Sequence, residues 1–431
     1  MVAKAVRWHG ELAPGHERSR DGVLAVGGVR VDELAHAYGT PSLILDGNVL
    51  DATISAFIAA SEPYDIDVAY AGKALLLVEL VRLLSKTSVR LDVCSIGELV
   101  TAERGGMPAH QMTLHGCGKS PDELAAAAAG RVGRTVVDNL DELAALAQTG
   151  ARIPILLRIN TGVEAHTHAF VQTAGDETKF GIAERDLQTA AAILQGHPQL
   201  QFLGLHSHIG SQIYERGAFI ANGDKLLRAA ARFSEWNLPV RELIVGGGFG
   251  VQTGPDEGTH LDIASVIKAI AQSTTERTRA LGLPPPRIGI EPGRAIIAPA
   301  GTSLYRVMTR KRQASRTFAV VDGGIADNPR PALYDAYHHA VLASRSAEGR
   351  ENVVVCGRSC ENDRLTEAAL PEDLRAGDLL AVCTTGAYTY SMASNYNRFA
   401  KPAVLYAKDG THRLLARRET LEDILRNDVD A

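Results

Sequence analysis

From about Ser42 to Ala298, strand-length apolar runs alternate with helix-length stretches, and nearly every run ends in a polar residue or a glycine. The strand ends fall near Tyr70, Cys94, His115, Asp138, Asn160, His208, Gly246 and Glu291. Helical stretches lie between them, among them Ile96 to Glu103, Pro121 to Ala129, Leu140 to Gln148, Glu184 to Leu194, Gly223 to Glu235 and Ile263 to Leu281. Eight such strand–helix units predict a (β/α)8 barrel, although a doubly wound parallel sheet shares the same local pattern. The polar strand ends favour the barrel. Closing the sheet would bring Lys73, Asp92, Ser95, His115, Asp138, Arg158, Asn160, His206, His208, Gly246 to Gly248, Glu291 and Arg294 onto one rim, where barrels carry their chemistry.

The flanks read differently. Val23 to Val26 and Val29 to Val31 enclose Gly27-Gly28, a hairpin with glycines where a primed turn needs positive φ. Asp32 is placed to cap a short helix over Glu33 to Tyr38. After Pro299 the strand period returns without long helices. It covers Ser303 to Thr309, Thr317 to Val321, Asn352 to Cys356, Leu379 to Cys383, and Pro402 to Ala407 hairpinned to Arg413 to Ala416, with a closing helix over Glu419 to Asn427. This pattern predicts a β-sandwich or small β-barrel. A lone hairpin is marginally stable in water, so the N-terminal segment is expected to join that domain. The expected organisation is 1–41 as a segment joining the β domain, 42–298 as the cofactor-binding barrel, and 299–431 as the C-terminal β domain.

A net charge of -5 without blocks of one sign argues against a nucleic-acid or anionic-membrane surface. Five cysteines without framework spacing fit reduced thiols. No apolar leader precedes Trp8, and no run is long enough to span a bilayer. A cytoplasmic enzyme of more than one domain is expected.

Four stretches carry candidate chemistry. Lys73 follows the apolar strand Ile66 to Tyr70 and precedes a helix expected over Leu75 to Leu84. Desolvation at a strand end would lower the pKa of its amine and suit it to form a Schiff base, though a lysine snorkelling from a strand mouth has the same local signature. Gly246-Gly247-Gly248 lets backbone N–H groups approach an anion on the seventh strand, and Glu291-Pro292-Gly293-Arg294 ends the eighth. Phosphate is commonly held by the loops after these two strands. It lacks the spacing of a dinucleotide fingerprint. His206 and His208 point to one side of a strand. They could form a metal pair as in barrel hydrolases, but no third ligand stands at a diagnostic spacing, so no metal is expected. A histidine can instead lie against an aromatic cofactor while Ser211 helps to hold a phosphate. A buried Glu291 beside a cationic ring nitrogen would keep that nitrogen protonated and make the ring an electron sink.

Together these residues resemble the fold type III pyridoxal-phosphate decarboxylases. The likeness runs from about Gly28 to Val429, through Tyr70-Ala71-Gly72-Lys73-Ala74, Lys179-Phe180-Gly181, His206 to Gln212, the three glycines and Glu291 to Arg294. It continues through Asp322-Gly323-Gly324, Asn328, Arg330, Leu333-Tyr334, Cys360-Glu361, Gly386-Ala387-Tyr388 and Asn395-Tyr396-Asn397. The resemblance implies that Lys73 forms the Schiff base with pyridoxal 5'-phosphate, His208 stacks on its ring and Glu291 pairs with its nitrogen. Ser211, Gly247, Gly248, the loop from Glu291 through Gly293 to Arg294, and Tyr388 would hold the phosphate. Arg294, Arg330 and Tyr334 would bind a distal carboxylate. Cys360 and Glu361 would come from the partner subunit of a homodimer, Cys360 near the scissile carbon and Glu361 on a distal ammonium. Asp92 and Glu98 match positions near the cofactor. The implied reaction is decarboxylation of meso-2,6-diaminopimelate to L-lysine. The alternative is a relative acting on carboxynorspermidine, D-ornithine, D-lysine, ornithine or arginine. The chain departs from the family pattern at Leu75 and after Cys360-Glu361, where Asn362-Asp363-Arg364 replaces a small residue, glycine and aspartate.

Overall fold

The computed structural model describes residues 6–163 and 178–429, so Met1 to Lys4, part of the leader reading, lie outside the described residues. The chain divides into two compact units, one of Ala56–Gly250 and Leu261–Gly293, the other of Met1–Ser55, Val251–His260 and Arg294–Ala431.

The first unit is a closed barrel of eight parallel strands: Asp67–Ala71, Arg90–Val93, Met112–Leu114, Arg134–Val137, Ile153–Arg158, Leu200–His206, Glu242–Ile244 and Arg287–Ile290. Each pairs with its sequence neighbour, and the eighth closes on the first through Gly289 opposite Asp67 and Ile290 opposite Val68. Four of the loops leaving the strands end in residues that cap the next helix. Ser95, Ser120, Asn139 and Asp262 each accept the backbone N–H three residues on, satisfying a donor that the first helical turn leaves unpaired. The expected strands and helices stand close to their sequence positions, except that the helix expected from Gly223 begins seven residues earlier (Arg216–Glu235). One differs in kind: Leu75 does not open a helix. Gly72–Ala74 is a 3₁₀ turn, and the helix begins only at Val78 (Val78–Leu84).

The second unit contains a nine-stranded sheet and a three-stranded one. Its spine is Gly301–Gln313, whose first half pairs with Ser42–Asp46 and Leu379–Cys383 and whose second half pairs with Arg316–Val321. A register shift between Val307 and Thr309 marks the change of partner. Ser42–Asp46, assigned from sequence to the start of the barrel, lies here, parallel to Ala403–Lys408. The reason is physical: five consecutive buried residues followed by a helix look the same whichever sheet receives the strand. Strands His16–Arg18, Ala340–Leu342 and Arg364–Leu370 lie outside the sequence expectations, the first two because they are so short and the third because its alanines and glutamate are weak strand formers.

Side-chain alternation gives this unit two cores. Leu304, Leu379 and Ala381 face one cluster, while Tyr305, Leu380 and Val382 face another. The N-terminal hairpin (Leu24–Val26 and Val29–Arg30) and helix Val31–Tyr38 join the first cluster through Leu24, Val26, Val29 and Leu34. Asp32 does not cap that helix from outside; it lies within the first turn, where its carboxylate accepts the Glu33 N–H. The closing helix is shorter than expected, Leu421–Leu425, and opens with a capping box of Thr420 and Asp423. No helix among the described residues is long and apolar enough to cross a membrane.

Leu24 is fully buried, so Leu24→Ala should destabilise the protein by about 2–5 kcal/mol through lost burial and a residual cavity. Urea unfolding reads this as a lower midpoint; an unmoved midpoint would mean that the hairpin contributes nothing to that core.

Candidate active site

In the barrel unit, the turn that carries Lys73 is pinned from three sides. Tyr70 is fully buried and its hydroxyl donates to the Leu75 carbonyl at 2.8 Å, drawing the chain into the 3₁₀ turn. The Ala71 N–H donates to the Pro292 carbonyl, at the end of the eighth strand. A Cβ on Gly72 would stand 2.7 Å from the Asp92 carbonyl oxygen, so only glycine lets the turn settle on the second strand. Lys73 itself is exposed, which corrects the expectation of a desolvated amine. Its charge is nevertheless felt at His208, Glu98 and Glu291, which belong to the sixth-strand loop, the helix after the second strand and the end of the eighth strand.

The three glycines are packed as tightly. A Cβ on Gly246 would lie 2.4 Å from the Ser207 carbonyl oxygen, on Gly247 2.0 Å from that of Glu291, and on Gly248 2.3 Å from that of Gly210. Gly246 and Gly248 also have positive φ, 75° and 96°. Only glycines let this segment lie against both the sixth-strand and eighth-strand loops. The Gly247 N–H donates to His208 Nδ1 at 3.2 Å. That bond needs a lone pair on Nδ1, and it accords with a pKa held well below the usual histidine value by burial, then by Lys73 and Arg158. His208 is therefore neutral.

His206 and His208 have different partners, which gives the metal-pair reading no support. His206 Nε2 lies 2.9 Å from Glu291 Oε2, and the ring is held neutral by burial and by His115 and Arg158. Glu291 is 8% exposed, and burial together with the neighbouring Asp92 charge pushes its pKa up to about 7. Asp92 is 3% exposed; burial would raise it too, but His115, Arg134 and His206 outweigh that and hold it below the usual carboxylate range. Between the two carboxylates stands His115, its Nε2 3.4 Å from Asp92 Oδ1 and 3.4 Å from Glu291 Oε1.

Farther round the rim, Arg158 meets Asp138 at 3.1 Å and lies over the Phe180 ring at 4.4 Å, while the Gly181 N–H donates to the other Asp138 oxygen. This ties the Lys179-Phe180-Gly181 stretch to the fifth strand. One residue escaped the sequence reading. Asn222 is fully buried in helix Arg216–Glu235, where it accepts from Ser207 and Thr161 and donates to the Val245 carbonyl. It fastens together the ends of the fifth, sixth and seventh strands. Its one signal was an Asn-Gly pair, a turn signature, standing inside a helical pattern.

In the other unit, Tyr388 gathers two arginines. The Arg294 guanidinium lies 4.7 Å from its ring centroid and that of Arg330 5.4 Å, with Arg330 also 5.0 Å from the Tyr334 ring. Burial and the nearby Arg294 charge lower the pKa of Arg330 to about 9. Two crowded cations of this kind suit an anionic group. Cys360 and Glu361 are exposed and tied to a neighbouring turn: Asn397 accepts the Cys360 N–H, and the Tyr396 hydroxyl donates to Glu361 at 2.6 Å. The departure after Glu361 has a structural content. Asp363 is buried and accepts from Ser359 and from the Ile325 N–H, anchoring the Cys360 loop on the Gly323-Gly324 turn.

The barrel unit thus offers an amine, a glycine cradle for an anion, a neutral imidazole and a buried acid. That set fits an aldehyde cofactor with a phosphate and a basic ring nitrogen: the cradle is space that any Cβ would fill, and Glu291 Oε1 is a buried oxygen without a hydrogen-bond partner among the described residues. The comparison with known families agrees. Residues 50–298 match the family "Pyridoxal-dependent decarboxylase, pyridoxal binding domain", and the chain belongs to this family. It is a carboxy-lyase that uses pyridoxal 5'-phosphate. Among similar proteins, the diaminopimelate decarboxylase of Actinosynnema pretiosum subsp. auranticum is 41% identical, with 97% of this chain and 95% of that protein covered. That of Bacillus subtilis (strain 168) is 39% identical, with 96% of each covered. The crystal structure of diaminopimelate decarboxylase from M. jannaschii in complex with L-lysine superposes with a TM-score of 0.90 at 27% identity, covering 96% of this chain and 98% of that one.

The raised Glu291 pKa has a thermodynamic sign. A carboxyl that titrates near 7 when folded and near 4.5 when unfolded stabilises the fold fully below 4.5, and that stabilisation is lost as pH rises to 7. Glu291→Gln should therefore gain stability over the parent in cofactor-free protein between pH 4.5 and 7 and hold the gain above. Thermal melts across that range are the measurement, and a difference independent of pH would contradict the assignment.

Proposed function

We propose that this protein decarboxylates meso-2,6-diaminopimelate to L-lysine and CO2, the last step of lysine biosynthesis, as a cytoplasmic homodimer. The observation that carries the reading is 41% identity to a diaminopimelate decarboxylase over 97% of the chain, a span that includes both units. The residues described above supply a chemical reason for each requirement of the reaction.

Lys73 would hold the cofactor through its amine, Glu291 would face the ring nitrogen, and His208 would lie against the ring. Gly247, Gly248, Ser211, Gly293, Arg294 and Tyr388 would hold the phosphate. When bound, the cofactor supplies an electron sink for the pair left on Cα as CO2 departs. The protein's part is to set charge and orientation. Neutral His208 adds no competing cation beside the ring, and its Nδ1 bond to Gly247 fixes the ring plane. Glu291, costly to ionise alone, becomes favourable as a carboxylate beside a cationic nitrogen.

For the substrate, Arg330 with Arg294 and Tyr334 would take the distal carboxylate, since a guanidinium fork matches that group with parallel hydrogen bonds. Glu361 would take the distal ammonium, and Cys360 Sγ would carry a proton for Cα. Their exposure in the single chain suits delivery by a partner subunit. A carboxylate site together with an ammonium site suits a substrate whose far end is itself an amino acid.

Lys73→Ala should abolish turnover together with the yellow absorbance of the bound cofactor. Full activity in that variant would remove the central assignment. Arg330→Met should raise KM for diaminopimelate about tenfold to a hundredfold, the loss of one charged hydrogen-bond pair. Product analysis with meso-diaminopimelate and other basic amino acids settles the substrate; CO2 from ornithine alone would sink it.

A further inference from the structure

Glu291 is held from inside the barrel by a constellation that the decarboxylation reading leaves unused. Three strands contribute to it: Asp92 lies within the second (Arg90–Val93), His115 follows the third (Met112–Leu114), and His206 ends the sixth (Leu200–His206). Glu291 Oε2 is engaged by His206 at 2.9 Å. Its other oxygen, Oε1, and both oxygens of Asp92 are buried without a hydrogen-bond partner among the described residues, and so is His115 Nε2. That nitrogen lies 3.4 Å from Asp92 Oδ1 and from Glu291 Oε1. The His115 and His206 rings meet edge to face, with centroids 5.2 Å apart, so His206 backs His115 in place.

A buried carboxylate oxygen without a donor is costly, and here one such oxygen from each of two carboxylates faces one ring nitrogen. One N–H can serve one oxygen fully or both poorly. The two acids therefore compete for a single donor. If both were ionised, their repulsion would act in a poorly solvated interior, where charges interact strongly.

We propose that His115, suspended between Asp92 and Glu291, is the positioning residue that sets the protonation state in which Glu291 meets the cofactor ring, and that Asp92 is its counterweight. This rests on the assignment of Glu291 to the ring nitrogen. His115 favours the ionised form of Glu291 by lying beside its free oxygen. Asp92 opposes that form directly and also competes for the His115 nitrogen. The other charged or titratable groups that bear on Glu291 are His206, bonded to Oε2, Arg134 from the fourth strand, Lys73 and the Cys94 thiol. Those bearing on Asp92 are His115, Arg134 and His206, with Arg90 on its own strand, Cys94 and Glu98. Arg134 is neutralised from the seventh strand by Glu242 and bonds Thr113, so it supplies a fixed background and not a switch.

The two residues act with opposite sign, and a structural prop would not. In cofactor-free protein the protonated Glu291 carboxyl can be followed by its infrared C=O stretch against pH, identified by its absence in Glu291→Gln. Asp92→Asn removes the repulsion and should lower the Glu291 midpoint by about one pH unit or more. His115→Phe removes the favourable neighbour and should raise it by a similar amount, while His115→Gln, which keeps a donor near the Nε2 position, should restore part of the shift. The acid limb of kcat in holoenzyme should move in the same directions. Midpoints that stay fixed, or that move the same way in Asp92→Asn and the His115 variants, would overturn the proposal. Should His115→Phe not fold, Asp92→Asn and His115→Gln still have to move in opposite directions. Because the infrared readout uses no cofactor and no substrate, its outcome is separate from that of the decarboxylation reading, which stands or falls on Lys73→Ala and product analysis.

Discussion

A carboxylate buried at the end of the strand that closes the barrel is the constraint around which the barrel unit is arranged. Glu291 ends the strand that closes the barrel on Asp67–Ala71, so its position depends on all eight strands pairing in order. The acid is too dry to ionise easily and too close to Asp92 to ignore it. Two histidines and a second carboxylate are packed around it. Environments that push two neighbouring acids apart in pKa mark a site prepared for charge.

The glycines follow from the same crowding. The carbonyl of Glu291 stands where a side chain on Gly247 would be, and the carbonyl of Asp92 stands where one on Gly72 would be. The eighth-strand end thus packs against the glycine cradle, and the lysine turn against the second strand, at distances that exclude any Cβ. Backbone packed this closely gives up conformational freedom to fix where an amine, an anion and an acid can be placed. Asn222 extends the arrangement beneath the rim, converting three strand ends into one rigid support.

Much of this was legible in the chain. The eight strand positions, the glycine run, the acid at the eighth strand and the lysine after the first could be read because hydrophobic period and residue type are local properties. Ser42–Asp46 could not, since strand and helix signals do not say which sheet a strand joins. Arg364–Leu370 was hidden by alanines that form strands only when a partner edge is present. The exposure of Lys73 was not legible either: apolar neighbours in sequence do not by themselves bury a side chain that stands on a 3₁₀ turn.

The sequence by itself determined the class of fold, the cofactor chemistry and the residue types at each strand end. The residue types and strand positions follow from hydrophobic period; the barrel and the cofactor rest also on the resemblance to the decarboxylase family, since periodicity alone fits a doubly wound sheet as well. Only the tertiary structure decided that His206 belongs to Glu291 and His208 to Gly247, and that His115 stands midway between two acids. His206 and Glu291, 85 residues apart on strands that the seventh separates, meet only once the barrel has formed, and no local pattern encodes that distance. Charge states are settled there too, because a carboxyl's affinity for its proton depends on what the fold packs around it.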